Sequence, residues 1–372
     1  MNRAPLLAAI AAIAIVGAGL SLTIPYIALR MEAAGYSAGA NGASTAVAGL
    51  AVFFASPLAP VVARRLGIGN TLLAAAALGA LALLALASTN NVGAWTAIRF
   101  FYSCALSALF VLSEYAITAM APDDSRGFWV GVYSTALGLG FAVGPALLGL
   151  TGTDTPLALY IGVGLHVLAL APILLARNAI PGFSDAPTPR SASLFARAPT
   201  LMLAALVFGV VEAGGMGLTP VHAMRNGYDA RNAALLVTLI ALSNAVFQIP
   251  IGLVADRTDK RRLMRIIAAA GALLSLALAF SAASPAFAPL LFVWAGLLGG
   301  LYMVGLAELG DVYDGAELAA ANAAFIMLYA LGMLLGPPLL GAAIDASPAH
   351  GMFGALAGLL AAYVMALRIF PR

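Results

Sequence analysis

The chain has 372 residues, of which 63% are apolar and 9% charged, and its mean hydropathy is +1.01. A water-soluble domain carries about 25% charged residues, so a soluble enzyme is excluded; a bilayer span takes about 20 apolar residues, and twelve spans would use roughly 240. The single cysteine, Cys104, excludes an internal disulfide and fits no zinc or C-x-x-C spacing, and the net charge of +3 comes from basic residues in short loops, which report orientation rather than a nucleic-acid partner.

Apolar runs bounded by Gly, Pro, Asn or charge predict twelve helices. In the first half they run Ala4 to Leu29, Gly42 to Ala63, Thr71 to Ala87, Ala94 to Thr118, Phe128 to Leu150 and Pro156 to Ala176. In the second half they run Thr200 to Ala223, Ala233 to Val254, Leu263 to Ala283, Pro285 to Leu309, Leu318 to Ala343 and Gly351 to Leu367. The first run follows Arg3 in the manner of a signal peptide, yet it is long enough to span, and it is read as a retained helix. The expected fold is all-α and polytopic, with twelve transmembrane helices in two pseudo-symmetric six-helix bundles. The expected domains are residues 1–176 and 200–372, joined by a cytoplasmic linker at 177–199 that is rich in Pro and Ser.

Orientation follows from the Arg and Lys residues of short loops. With both termini in the cytoplasm, that side holds Arg3, Arg64, Arg65, Arg126, Arg177, Arg190, Arg197, Arg257, Lys260, Arg261, Arg262, Arg265, Arg368 and Arg372. The outer side keeps Arg30, Arg225 and Arg231, and Arg99 falls inside the fourth run. An even number of spans preserves this alternation.

The chain also repeats itself. The fifth run reads Gly131-x8-Gly140-x3-Gly144-Pro145-x2-Leu148-Gly149, and the eleventh reads Ala323-x8-Gly332-x3-Gly336-Pro337-x2-Leu340-Gly341, each partner 192 residues further on. The same offset carries Pro60, Ala63, Arg64 and Arg65 onto Gly252, Ala255, Asp256 and Arg257. Two separated matches at one spacing indicate parallel duplication. Small residues on one helix face let another backbone approach closely, and a following proline bends the helix. Gly140, Gly144, Pro145, Gly332, Gly336 and Pro337 are thus expected at the packing between the halves.

The segment Gly252-Leu253-Val254-Ala255-Asp256-Arg257-Thr258-Asp259-Lys260-Arg261 is similar to the loop motif of the major facilitator superfamily, with Asp259 where glycine is usual. The fifth run resembles the glycine-proline motif of the drug/proton antiporter branches, departing at Leu148. Arg99 resembles the arginine of the family's helix 4 motif, and Ser113-Glu114-Tyr115 with Arg126-Gly127 and Tyr133 resembles the YcaD-like branch. The first-half loop departs from the motif, since Arg64 occupies the place of the usual aspartate. The resemblance implies a bacterial inner-membrane carrier, monomeric, working by alternating access. It also implies that the first, fourth, seventh and tenth helices line a central cavity and that loop charges form an inner gate. The gating candidates are Asp256, Arg257, Arg261, Arg64, Arg65 and Arg126.

Ionisable groups at bilayer depth are costly and face a cavity or one another. Glu212 stands mid-run in Val210-Val211-Glu212-Ala213-Gly214-Gly215, where a carboxyl can take a proton from one side and release it to the other. It is the first candidate for proton coupling; Glu114 and Glu308, near the cytoplasmic ends of their runs, are the others, with ion pairing to loop arginines as their alternative. Arg99 precedes Glu114 by fifteen residues, about 22 Å of helix rise, so the two cannot pair. His166 reads as a structural histidine, and His222 and His350 fall near the outer face. The substrate-binding candidates are Arg99, Tyr26, Phe101, Tyr102, Asn244, Gln248, Tyr302, Asn322 and Tyr329. Several aromatics with few charges suit a small amphipathic or apolar organic compound better than a sugar phosphate, which would need convergent arginines. No G-x-x-x-x-G-K-[ST] occurs and Lys260 is the only lysine, so ATP hydrolysis by this chain is excluded and no cofactor or metal is expected. The leading expectation is proton-coupled export. Uptake or uniport of a small metabolite is the alternative, followed by a polytopic enzyme acting on lipid and by a channel.

Overall fold

The computed structural model describes residues 3–122, 126–182, 198–313 and 315–370, and every regular element among them is helical. The helices are α1 (Ala4–Ala33), α2 (Ala38–Leu66), α3 (Ile68–Ala87), α4 (Val92–Met120), α5 (Arg126–Thr151), α6 (Leu157–Ala176), α7 (Pro199–Arg225), α8 (Ala230–Ala255), α9 (Lys260–Ala279), α10 (Phe287–Val312), α11 (Gly315–Ala346) and α12 (Gly351–Ile369). Eleven have the length and composition to cross a membrane; in α5 the apolar stretch among the described residues is Thr135–Thr151. Only helices satisfy their own backbone groups in lipid, which is why the chain runs through interior prolines such as Pro25, Pro57, Pro145 and Pro337 without breaking. At two helix starts a side chain takes up an otherwise orphaned amide: Asn91 accepts from the Ala94 N–H at 3.0 Å, and Asp259 accepts from the Arg262 N–H at 2.7 Å.

Helix ends repeat the sequence offset. Ala33 and Arg225, Ala38 and Ala230, Ile68 and Lys260, and Ala87 and Ala279 are matching termini 192 residues apart. Gly35 and Gly227 close the corresponding turns with φ of +79° and +91°, a conformation that favours glycine.

By density of internal contacts the chain divides into two units. The first comprises the described residues of Met1–Met31, Leu50–Ser184 and Ala230–Ala241, and the second those of Glu32–Gly49, Asp185–Asp229 and Leu242–Arg372. Each unit is therefore largely one sequence half plus the opening of α8 or α2 from the other.

In the first unit, α5 packs on α1 through glycines. A methyl on Gly17 would lie 2.9 Å from Leu137, and methyls on Gly140 and Gly144 would strike the carbonyls of Ala14 and Ala18. Further along α5, Gly149 faces Leu235 of α8. The His166 ring sits between Gly19 and Gly79, where a methyl would come within 2.7 and 2.6 Å of ring carbons; its Nδ1–H donates to the Gly162 carbonyl at 2.9 Å. That position and bond give the histidine the structural role its sequence context implies.

The second unit repeats this joint between α7 and α11. Gly209 abuts the Tyr329 carbonyl, Gly332 the Leu206 carbonyl and Gly336 the Val210 backbone, with Gly341 against Ala38 of α2. The first three contacts are their first-unit counterparts displaced by 192 residues, and Gly341, like its counterpart Gly149, faces the start of the second helix of the other half. Gly140, Gly144, Gly332 and Gly336, expected between the halves, thus pack on the first helix of their own half. Contact with the other half is made at Gly149 and, near Pro337, where the Pro337 carbonyl leaves no room for a side chain on Gly42. The physical reason is plain: a missing Cβ announces a close backbone without saying whose. Aromatic burial completes the second unit, where the Trp294 Nε1–H donates to Ser275 Oγ at 2.8 Å and its ring stands edge-on to Phe353 at 5.5 Å.

Candidate functional site

Within α7 the middle segment Val210–Met216 is a π-helix. Such widened turns leave the regular i→i−4 ladder and are frequent at functional sites; here the segment holds Glu212 together with Gly214 and Gly215. Glu212 is a hydrogen-bond acceptor: the Tyr329 hydroxyl of α11 donates to its Oε2. Around the pair lie Phe208, Tyr302 and Phe325, with ring centroids 5.2 to 6.0 Å apart in tilted, edge-on and stacked pairings. Phe208 was not among the sequence candidates. A carboxyl enclosed by rings and held by one phenol can exchange a proton without a permanent counter-charge.

Other candidates of the second unit lie on α8, α10 and α11. Asn244 and Asn322 each bury a side-chain oxygen with no hydrogen-bond partner among the described residues, and Asn244 lies beside Gly299 of α10. Gln248 is exposed. Glu308 is buried, and three residues on Asp311 pairs with Lys260 at 2.6 Å, an ammonium that Glu308 and Asp256 also face. Asp256 and Arg257 are exposed. Arg261 donates to the Leu367 carbonyl at 3.0 Å and to that of Phe370, at the end of α12, where the last carbonyls lack helical partners.

The first unit carries the remaining candidates. Arg99 is only 3% exposed, and its Nη1 has no partner among the described residues. Tyr102 is buried 5.6 Å from the His166 ring, Tyr26 donates to the Thr155 carbonyl at 3.5 Å, and Phe101 is exposed. Glu114 is exposed on α4, next to Tyr115, whose hydroxyl donates to the Gly182 carbonyl at 2.8 Å. Arg64 and Arg177 line a cleft of about 400 Å³ beside the start of α3, and Arg65 is exposed. The Arg126 side chain lies outside the described residues, so the gating role expected of it has no geometry here. Arg99, Tyr102 and Glu114 thus stand in a different unit from Glu212 and Tyr329.

One charged cluster escaped the sequence reading. In the second unit Arg225, closing α7, binds Glu32 of α1 at 2.6 Å and Asp345 of α11 at 2.9 Å. The guanidinium also donates to the Tyr36 carbonyl at 3.2 Å. Asp345 in turn accepts the amides of Ala38 and Gly39, at 2.8 and 2.7 Å, where α2 begins. An anion at a helix N-terminus is favoured by the unpaired amides and the helix dipole. Four helix ends are tied by one arginine and one aspartate. The available signal was the scarcity of basic residues in the loops expected on the outer side, where Arg225 stands with Arg30 and Arg231.

Apolar helices in this number, built as a repeated joint with a carboxyl inside one of them, define a multi-pass membrane protein of the carrier class. The family model for the Major Facilitator Superfamily matches residues 9–307 and 226–372, and the chain belongs to that superfamily. It is similar to YfkF of Bacillus subtilis, an uncharacterized MFS-type transporter, at 25% identity over 87% of this chain and 85% of the relative. It is also similar to the uncharacterized MFS-type transporter YcaD of Escherichia coli, at 24% identity over 74% of this chain and 72% of the relative. The fold matches a crystal structure of a mutant nucleoside transporter NupG with a TM-score of 0.81, at 16% identity and covering 99% of both chains. The chain is a transporter rather than an enzyme.

Proposed function

We propose that this protein is a proton-coupled exporter of a small amphipathic or apolar organic compound, acting as a monomer in the bacterial inner membrane with both termini in the cytoplasm. Two six-helix halves, residues 1–176 and 200–372 with the linker 177–199 between them, alternate access to a central site. The observation that carries the reading is the Glu212 carboxyl on a π-helical segment, held by the Tyr329 hydroxyl among aromatic rings. Glu212 carries the proton. Release of that proton to the cytoplasm strengthens the Tyr329 contact and readies the ring cluster for the compound, and reprotonation from outside weakens the contact and releases it, with Asn244 and Asn322 offering unengaged oxygens and Arg99, Tyr26, Tyr102, Phe101 and Gln248 contributing elsewhere in the cavity. Glu114 and Glu308 serve as secondary proton sites. On the cytoplasmic side Asp256, Arg257, Arg261, Arg64, Arg65 and Arg126 form the gate. On the outer side Glu32, Arg225 and Asp345 form a latch that must break for that side to open.

The test is proton movement in proteoliposomes carrying a trapped pH-sensitive dye. Adding a transported compound should shift the internal pH for the natural protein, while Glu212→Gln should bind the compound and move no protons. Full coupling by Glu212→Gln refutes the role given to that carboxyl, and proton-independent transport by the natural protein refutes the antiport reading.

A further inference from the structure

We propose a binding site for an anionic phospholipid in the surface groove between α9 and α12. A cleft of about 280 Å³ there is lined by Arg262, Arg265, Ile266, Val364 and Arg368. Three guanidinium groups and no carboxylate form its lining. Arg265 is only partly exposed, and its Nε is buried with no hydrogen-bond partner among the described residues. A buried guanidinium donor left unmatched is costly, and a phosphate oxygen is the acceptor that a fork of guanidinium donors fits best.

The rest of the groove identifies the occupant as a lipid rather than a free anion. Ile266, in the lining itself, is 54% exposed, and Leu273, seven residues on and so on the same helix face, is 70% exposed. On α12 the face that carries Arg368 continues through Ala361 and Gly358 to Gly354, all exposed, and a side chain added at either glycine would meet open space. A row of small residues opposite an apolar ridge makes a trough for an acyl chain, starting directly beneath the three arginines. Basic pockets between transmembrane helices at the membrane surface bind anionic lipid headgroups on this principle. Arg261, one residue before Arg262, takes no part, because its guanidinium caps the carbonyls that end α12; that contact holds the two helices together and so preserves the cleft.

Purified, delipidated full-length protein titrated with phosphatidylglycerol or with phosphatidylcholine of the same acyl chains, and read by native mass spectrometry, tests the assignment. The natural protein should retain phosphatidylglycerol about tenfold better than phosphatidylcholine, and the combined Arg262→Gln, Arg265→Gln and Arg368→Gln variant should lose that preference. Val364→Phe keeps every charge and fills the groove, and should weaken phosphatidylglycerol retention as well, which covers the case of a triple variant that fails to fold. Arg231→Gln, on α8, should behave as the natural protein. Equal retention of the two lipids, or undiminished preference in the folded triple variant or in Val364→Phe, overturns the proposal. Displacement of the lipid by millimolar inorganic phosphate also overturns it, because the site would then recognise a free anion.

Discussion

Replacing Arg225 by alanine removes the group that joins Glu32 to Asp345, and the structure allows the effect to be sized. Fully exposed ion pairs contribute about 0.2–1 kcal/mol, and hydrogen bonds to charged groups about 1.5–3 kcal/mol. The Arg225, Glu32 and Asp345 side chains are 22%, 13% and 30% exposed, with contacts of 2.6 and 2.9 Å, so each link lies between those limits, at about 1 kcal/mol. Asp345 keeps its two α2 amides, which limits the loss. Two links together make about 2 kcal/mol, a shift of about 30-fold in the equilibrium between latched and unlatched helix ends. Spin labels at cysteines replacing Ala34 and Ala346, in a Cys104→Ser background, report that equilibrium as a distance distribution. Arg225→Ala should add a longer distance, and high salt should produce part of the same change in the natural protein, since the links are partly solvated. A double-mutant cycle with Asp345→Asn should be non-additive. An unchanged distance distribution in the folded variant, or strict additivity, refutes the latch.

Gly336→Ala places a methyl 2.7 Å from the Val210 Cα, and overpacking of this kind should cost about 1–3 kcal/mol, visible as a lower melting temperature in detergent. Gly252→Ala, where nothing lies within 4 Å, should leave it unchanged. Tyr329→Phe removes the hydroxyl that donates to Glu212 and should slow proton-coupled transport about tenfold, equivalent to about 1.4 kcal/mol, with less effect on compound binding measured in detergent. Trp294→Phe deletes the indole N–H donated to Ser275, whose own hydroxyl keeps its bond to the Gly271 carbonyl; it should lower the melting temperature, with a loss of about 1 kcal/mol.

Apolar length and charge alternation made the helices legible, because a span has to be long, apolar and bounded by loop arginines whatever its neighbours are. The duplication was legible as well: the offset read from Gly140 and Gly332 reappears in turns and termini that the motif search never used, such as Gly35 with Gly227. The π-helical segment of α7 was not, since Val210–Met216 is apolar on every side except at Glu212, and an all-round apolar helix gives no periodicity from which a slipped turn can be detected. Partner choice was equally hidden. Glu32, Arg225 and Asp345 are each an ordinary charge at a helix end, and only folding brings positions 32, 225 and 345 together. Arg261 was as opaque, since nothing in its motif position says that its guanidinium bonds the terminal carbonyls of α12.

The two copies of the α1/α5 and α7/α11 joint differ at one telling place. Glu212 and Tyr329 stand, by the common offset, where the first copy has Leu20 and Leu137, so the joint assembles with or without an ionisable pair. If Glu212 is the carrier, this joint supplies one exchangeable proton per turnover and its twin supplies none. The share of the proton stoichiometry that the joint supplies would then be set by an inherited asymmetry between sister halves, and that share could be doubled by writing the acid and the phenol into the leucine copy.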